Sequence, residues 1–170
     1  QAYDRPEFIL SAYADWAGGQ AQGALLLYVS MHDSVQKMTE IIRRALESRA
    51  VTVRALDLAA ADLGEVAMEL VDAAAVLLGS PTVLAGAHPA AAYAAFLFNA
   101  LRPKARILGI YGSYLWGGRM VEQLSALLTN VKPEILPPVL CKGLPGAEDT
   151  AKLSDWAQEL GAKLCQNSRK

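Results

Sequence analysis

The chain is poor in the residues that build metal centres and disulfide scaffolds. Among 170 residues there are two cysteines, Cys141 and Cys165, and two histidines, His32 and His88. The cysteines form no C-x-x-C motif, and neither histidine stands at ligand spacing from another His, Cys or carboxylate pair. The expectation is two ordinary thiols in a reducing, cytoplasmic setting, and no metal. An excess of one charge is missing as well. Sixteen Lys and Arg against 17 Asp and Glu leave a net charge of −1. With no basic stripe to neutralise phosphates, a nucleic-acid partner is not expected. No apolar run is long enough to span a bilayer, so no membrane partner is expected either. The first residues lack a basic segment followed by an apolar core, so no secretory signal is read there. Two phosphate-binding signatures are also absent: the Gly-rich dinucleotide fingerprint after the first apolar run, and a G-x-x-x-x-G-K-[ST] loop.

What the sequence does have is an apolar fraction of 53%, enough for the core of a single domain. Residues 1–22 differ from the rest. Tyr3, Pro6, Phe8, Ile9, Tyr13 and Trp16 are scattered without period, and the segment reads as a connector that packs by its aromatics. Residues 23–166 read as one domain and 167–170 as a tail. Within the domain, strand and helix patterns alternate. Ala24 to Val29 is continuously apolar, as in a strand buried on both faces. Ser34 to Arg49 carries Val35, Met38, Ile41, Ile42, Ala45 and Leu46 on one helical stripe. Val51 to Ala55 alternates, Asp62 suits a helix cap, and Ala73 to Leu78 is a second buried strand ended by Gly79-Ser80-Pro81-Thr82. Pro89 fits the first turn of a helix reaching Leu101. Arg106 to Tyr111 is a strand followed by Gly112-Ser113-Tyr114, and Gly117 to Asn130 is a helix. Glu134 to Leu140 is a last strand, placed at a sheet edge because Pro137-Pro138 denies it ladder donors. Leu153, Trp156, Leu160 and Leu164 mark a closing helix.

This alternation predicts an α/β fold, a doubly wound five-stranded parallel sheet with helices on both faces. Ligands of such sheets bind beyond the carboxyl ends of the strands, at the switch point. The hydroxyl- and glycine-rich turns follow the first, third and fourth strands, which agrees with the order 2-1-3-4-5. The first of these turns leads into a helix. A helix N-terminus leaves N–H groups unpaired and is the positive end of a dipole, so with hydroxyls beside it an anion is held without lysine or arginine. Bland readings exist for each residue. Ser34 suits a plain N-cap, Trp116 a core aromatic, His32 a polar loop position and His88 a surface turn. The apolar helix with Tyr93, Phe96 and Phe98 suits either burial or a subunit interface.

Ser30-Met31-His32-Asp33-Ser34-Val35 resembles the phosphate loop of the flavodoxin-like domain in flavodiiron proteins (A-type flavoproteins). Gly79-Ser80-Pro81-Thr82 and Gly112-Ser113-Tyr114-Leu115-Trp116-Gly117-Gly118 resemble that family's second and third flavin loops. The resemblance runs from Gly23 to about Leu164 and extends back to Tyr13 and Trp16. It implies a flavodoxin-like fold and FMN as cofactor. Ser30, Met31, His32, Asp33, Ser34 and Val35 would surround the phosphate. Ser80, Pro81, Thr82, Val83 and Leu84 would border the isoalloxazine, and Ser113, Tyr114, Leu115, Trp116 and Gly117 would form the opposite wall, with Trp116 or Tyr114 stacking on the ring. It implies an electron-transfer domain of an oxygen or nitric oxide reductase. Its electrons would come from a reductase or rubredoxin-like donor and go to a di-iron centre in a metallo-β-lactamase-like domain that this sequence does not contain. A near-neutral chain has little field to steer a free partner, which suits a partner that is tethered or held in a homo-oligomer. A stand-alone FMN-dependent quinone or flavin reductase and a flavin-free assembly scaffold are the alternatives. Three positions depart from the family: Asp33 stands for a usual Gly, Val35 for Thr and Leu84 for Asn. Two like charges roughly 4 Å apart repel by about 4 kcal/mol at an effective dielectric near 20, so Asp33 is expected to turn to solvent and flavin binding to be weakened but retained.

Overall fold

The computed structural model describes residues 23–167. The expected connector (1–22) and most of the expected tail (168–170) lie outside the described residues. The chain runs β1 (Ala24–Tyr28), α1 (Ser34–Glu47), β2 (Val53–Asp57), α2 (Leu63–Asp72), β3 (Ala75–Val83), β4 (Gly86–Ala87), α3 (Pro89–Leu101), β5 (Ile107–Tyr114), α4 (Met120–Ala126), β6 (Glu134–Ile135), β7 (Val139–Lys142) and α5 (Ala147–Asn167).

The strands form one sheet in the order β2-β1-β3-β5-β6, with β7 also on β5 and β4 antiparallel on β3. All the other pairings are parallel. Taking β6 and β7 as one strand, this is the expected order. The fifth strand is broken where the sequence has Leu136-Pro137-Pro138: Leu136 N–H still reaches the Leu108 carbonyl at 2.9 Å, but the two prolines offer no donor.

The doubly buried strands explain themselves by alternation. Ala24 and Leu26 of β1 face one core, with Met38 and Ile42 of α1 and Leu153, Trp156 and Leu160 of α5. Leu25 and Leu27 face the other, with Leu70 of α2, Ala94 and Phe98 of α3 and Leu124 of α4. Helix starts follow local chemistry. Asp62 caps α2 by accepting from Gly64 N–H at 2.8 Å, and His88 Nδ1 accepts from Ala90 N–H at 3.1 Å ahead of Pro89.

Besides the broken fifth strand and the added β4, three elements differ from expectation. β3 and β5 do not stop at their glycines but continue through Val83 and Tyr114, because Ser80 pairs with Gly112 and Pro81 with Ser113. The helix expected from Gly117 spans only Met120–Ala126, and its end tightens through Leu127 N–H to the Leu124 carbonyl.

Candidate functional site

Beyond the carboxyl rim of the sheet lies a cleft of about 530 Å³. Its floor and walls come from four segments: the β1–α1 turn (Met31, His32, Ser34), the β3–β4 hairpin (Pro81 to Ala85), the end of β5 with the following loop (Ser113 to Trp116), and the turn after β7 (Gly143, Leu144). Among the described residues no lysine or arginine lines it.

At one end stands the first turn of α1. Asp33 precedes the helix in the left-handed region, at φ 58°, and its side chain makes no cap bond. That backbone shape favours glycine, the residue that the resembled family uses there. Asp33 is exposed and faces a separate polar hollow that also holds Lys37, Arg43 and Arg44, not the cleft. Ser34 is the first helical residue, not the cap, and its hydroxyl meets that of Ser113 at 2.8 Å. Two hydroxyls that share one bond keep one hydrogen free for a ligand. Ser30 is not in the cleft lining; its Oγ accepts from Gln36 N–H, a first-turn amide of α1, at 3.3 Å. Val35 is fully buried in the core beneath.

Below Val35 the anchor is polar. Thr39 donates its hydroxyl hydrogen to the Val35 carbonyl at 2.8 Å, and so it accepts from the Tyr111 hydroxyl at 2.6 Å. Burial raises the Tyr111 phenol above its ordinary pKa, which keeps it a donor. Tyr111 lies across β3, where a Cβ on Gly79 would come 2.5 Å from its ring. The helix that presents the anion end is thus tied to the strand that presents the third loop.

The middle of the cleft is apolar. Trp116 is 79% exposed and is not a core aromatic. Leu84 is 100% exposed at the hairpin tip, and Met31, Leu115 and Leu144 are exposed as well. Apolar surface gathered this way around a cleft marks a ligand or partner site. The hairpin turn is Leu84-Ala85, with φ 48° and 63°, the two-residue pattern that normally asks for Asn-Gly.

The structure therefore brings together Met31, His32, Ser34, Pro81, Thr82, Val83, Leu84, Ser113, Tyr114, Leu115 and Trp116. It sets apart Ser30, Asp33, Val35, Ser80 and Gly117. Ser80 is fully buried, and its hydroxyl is used at home, donating to the Pro81 carbonyl and accepting from His88 N–H. Ala85, Gly143 and Leu144 were not singled out in the sequence. Gly143-Leu144 follows the last strand with φ 72° at the glycine, so the strand-end rule that located the other loops would have found it. Among the described residues no three His, Cys, Asp or Glu side chains gather to hold a metal ion. No described helix is long and apolar enough to cross a membrane.

No family model matches the chain. It is 30% identical over 162 residues to a nitric oxide reductase of Moorella thermoacetica, covering 94% of this chain and 41% of that protein. It is 28% identical to a rubredoxin-oxygen oxidoreductase of Megalodesulfovibrio gigas, covering 95% of this chain and 40% of that one. The solved structure of the rubredoxin oxygen:oxidoreductase from Desulfovibrio gigas superposes with a TM-score of 0.87 at 28% identity, over 96% of this chain and 41% of that chain. An archaeal flavodoxin superposes with a TM-score of 0.65 at 23% identity over 83% of this chain and 97% of that chain, a likeness of fold. The chain spans about 40% of the length of the curated relatives it matches.

Proposed function

We propose, for a chain that belongs to the flavodiiron proteins as their flavodoxin-like part, that the rim cleft binds FMN and relays electrons. The observation that carries this is one cleft lined both by the start of α1, with no lysine or arginine among its described lining, and by an unburied Trp116. The Ser34 and Val35 amides at the start of α1 and the free hydrogen of the Ser34–Ser113 pair would receive the phosphate. Pro81 to Ala85 on one side and Tyr114 to Trp116 on the other would border the ring, and aromatic stacking adds about 0.5–1.5 kcal/mol beyond area. Met31 and Leu144 would exclude water from its edge. A bound flavin supplies the redox chemistry, and the chain positions it and sets its surroundings.

In the whole protein this domain would take electrons from a rubredoxin-like donor or a reductase and pass them to a di-iron centre outside these 170 residues, where oxygen or nitric oxide is reduced. The names of the relatives support that assignment. A flavin-free scaffold is the second reading, favoured by Asp33 and Leu84, which depart from the pattern of the resembled family's loops and hold positive φ. Titration of the chain with FMN, followed by quenching of flavin fluorescence, separates the two. Saturable binding is expected, with Trp116→Ala weakening it by up to about tenfold. Ser34→Ala should weaken FMN roughly two- to tenfold while leaving riboflavin unchanged. A wild-type chain that does not quench the flavin would leave only the scaffold.

A further inference from the structure

The geometry points to Gln123 as a positioning residue that sets the width of the cleft by latching the β3–β4 hairpin to α4. The inference rests on the flavin reading of the cleft and names a residue outside its lining. The hairpin tip, Leu84-Ala85, carries two consecutive non-glycine residues at positive φ, a backbone state that L-residues leave unless something holds them there. What holds them comes from behind, on the side away from the cleft. Gln123 Oε1 accepts from Ala87 N–H at 2.8 Å, a hydrogen bond spanning 36 positions of sequence. Arg119 N–H donates to the Ala85 carbonyl at 2.8 Å. Gly86 and Gly118 leave no room for a Cβ, the first against the Gln123 side-chain amide and the second against the Thr82 methyl, so each glycine's backbone packs directly on a side chain of the other segment.

The consequence is mechanical. The second wall of the cleft (Pro81 to Ala85) and the third (Ser113 to Trp116) are joined by parallel strand pairing only up to Pro81–Ser113. Beyond that the strands diverge, and their separation is the width of the cleft. The loop that carries Trp116 runs directly into Arg119 and α4. A clamp from α4 to the hairpin therefore fixes the distance between the walls without touching what lies between them. Among the described residues Gln123 is the side chain that supplies this clamp, and the Arg119–Ala85 bond is its backbone half.

The test is a comparison of Gln123→Ala, Gln123→Glu and wild type with FMN and riboflavin as probes. Gln123→Ala should raise the dissociation constants of both probes by the same roughly two- to tenfold factor, because the ring walls loosen while the phosphate end is untouched. Gln123→Glu keeps an acceptor oxygen at the same reach and should restore wild-type affinity. The exchange rate of the Ala87 amide with deuterium, read without any flavin, should rise at least tenfold in Gln123→Ala and return to the wild-type rate in Gln123→Glu. Wild-type affinity in Gln123→Ala, a loss confined to FMN, or a failure of the glutamate to restore binding would each overturn the assignment. If the wild type itself binds neither probe, the flavin reading falls, and the Ala87 exchange rates still decide the latch: unchanged rates refute it.

Discussion

At the scale of single residues, the site carries strain where its sequence departs from the pattern of the flavin loops it resembles. Asp33 holds the left-handed conformation at the entrance of α1 with no hydrogen bond from its carboxylate to justify it. Asp33→Gly should stabilise the fold by about 1 kcal/mol, seen as a higher urea midpoint at unchanged slope. Because Asp33 faces the neighbouring hollow and not the cleft, flavin affinity should change little. The two thiols give a second residue-level contrast. Cys141 is buried, and its pKa is pushed up to about 11 by burial and by Asp149 beside it. Cys165 is exposed. Since the thiolate is the reactive form, one thiol per chain should react quickly with a disulfide reagent at neutral pH, and the second only on unfolding. Gly79 marks a packing limit of the same kind. Gly79→Ala places a methyl 2.5 Å from the Tyr111 ring and should cost about 1–3 kcal/mol in denaturant stability.

At the scale of elements, the type and order of strands and helices were legible and the strand ends were not. The apolar runs 24–29 and 73–78 and the stripe of α1 announced themselves because burial on both faces, or on one, leaves a period in the sequence. Gly79-Ser80-Pro81-Thr82 looked like a turn, since Pro normally ends a central strand. It does not end β3, because β1 has already stopped. The Gly79 carbonyl accepts from Val29 N–H, so by alternation Pro81 turns its missing donor toward the same side, where no strand remains. That is information about a neighbour, invisible in the local sequence. The same holds for Ser80, whose hydroxyl is taken by His88 N–H, and for Gln123, whose partner lies in another loop. The strained hairpin is an element-level prediction: replacing Leu84-Ala85 by Asn-Gly should add about 1–2 kcal/mol to stability, because those residues accept positive φ. On the outer face of α1, hydrogen bonds from Arg43 and then Arg44 hold the Glu40 carboxyl down from 4.5 to about 2. A lowered carboxylate stabilises above its unfolded pKa and loses that contribution as pH falls through the folded one. The small stability gap between wild type and Glu40→Gln should therefore be full above about pH 4.5 and close by about pH 2.

At the scale of the molecule, the cleft belongs to no single element. Its lining runs from Met31 to Leu144, and its central tie joins Ser34 to Ser113, 79 positions apart. A ligand held by so many segments binds the folded chain and not the unfolded one. FMN at a hundred times its dissociation constant should therefore raise whole-domain stability by about 2.7 kcal/mol, measurable as a higher thermal midpoint. The same feature bears on biogenesis. In a nascent polypeptide the cleft lining is complete only once Gly143 and Leu144 have left the ribosome and Gly143 has come to rest near Leu115. If the proposed flavin binds there, its loading follows synthesis of nearly the whole domain instead of templating its first strands.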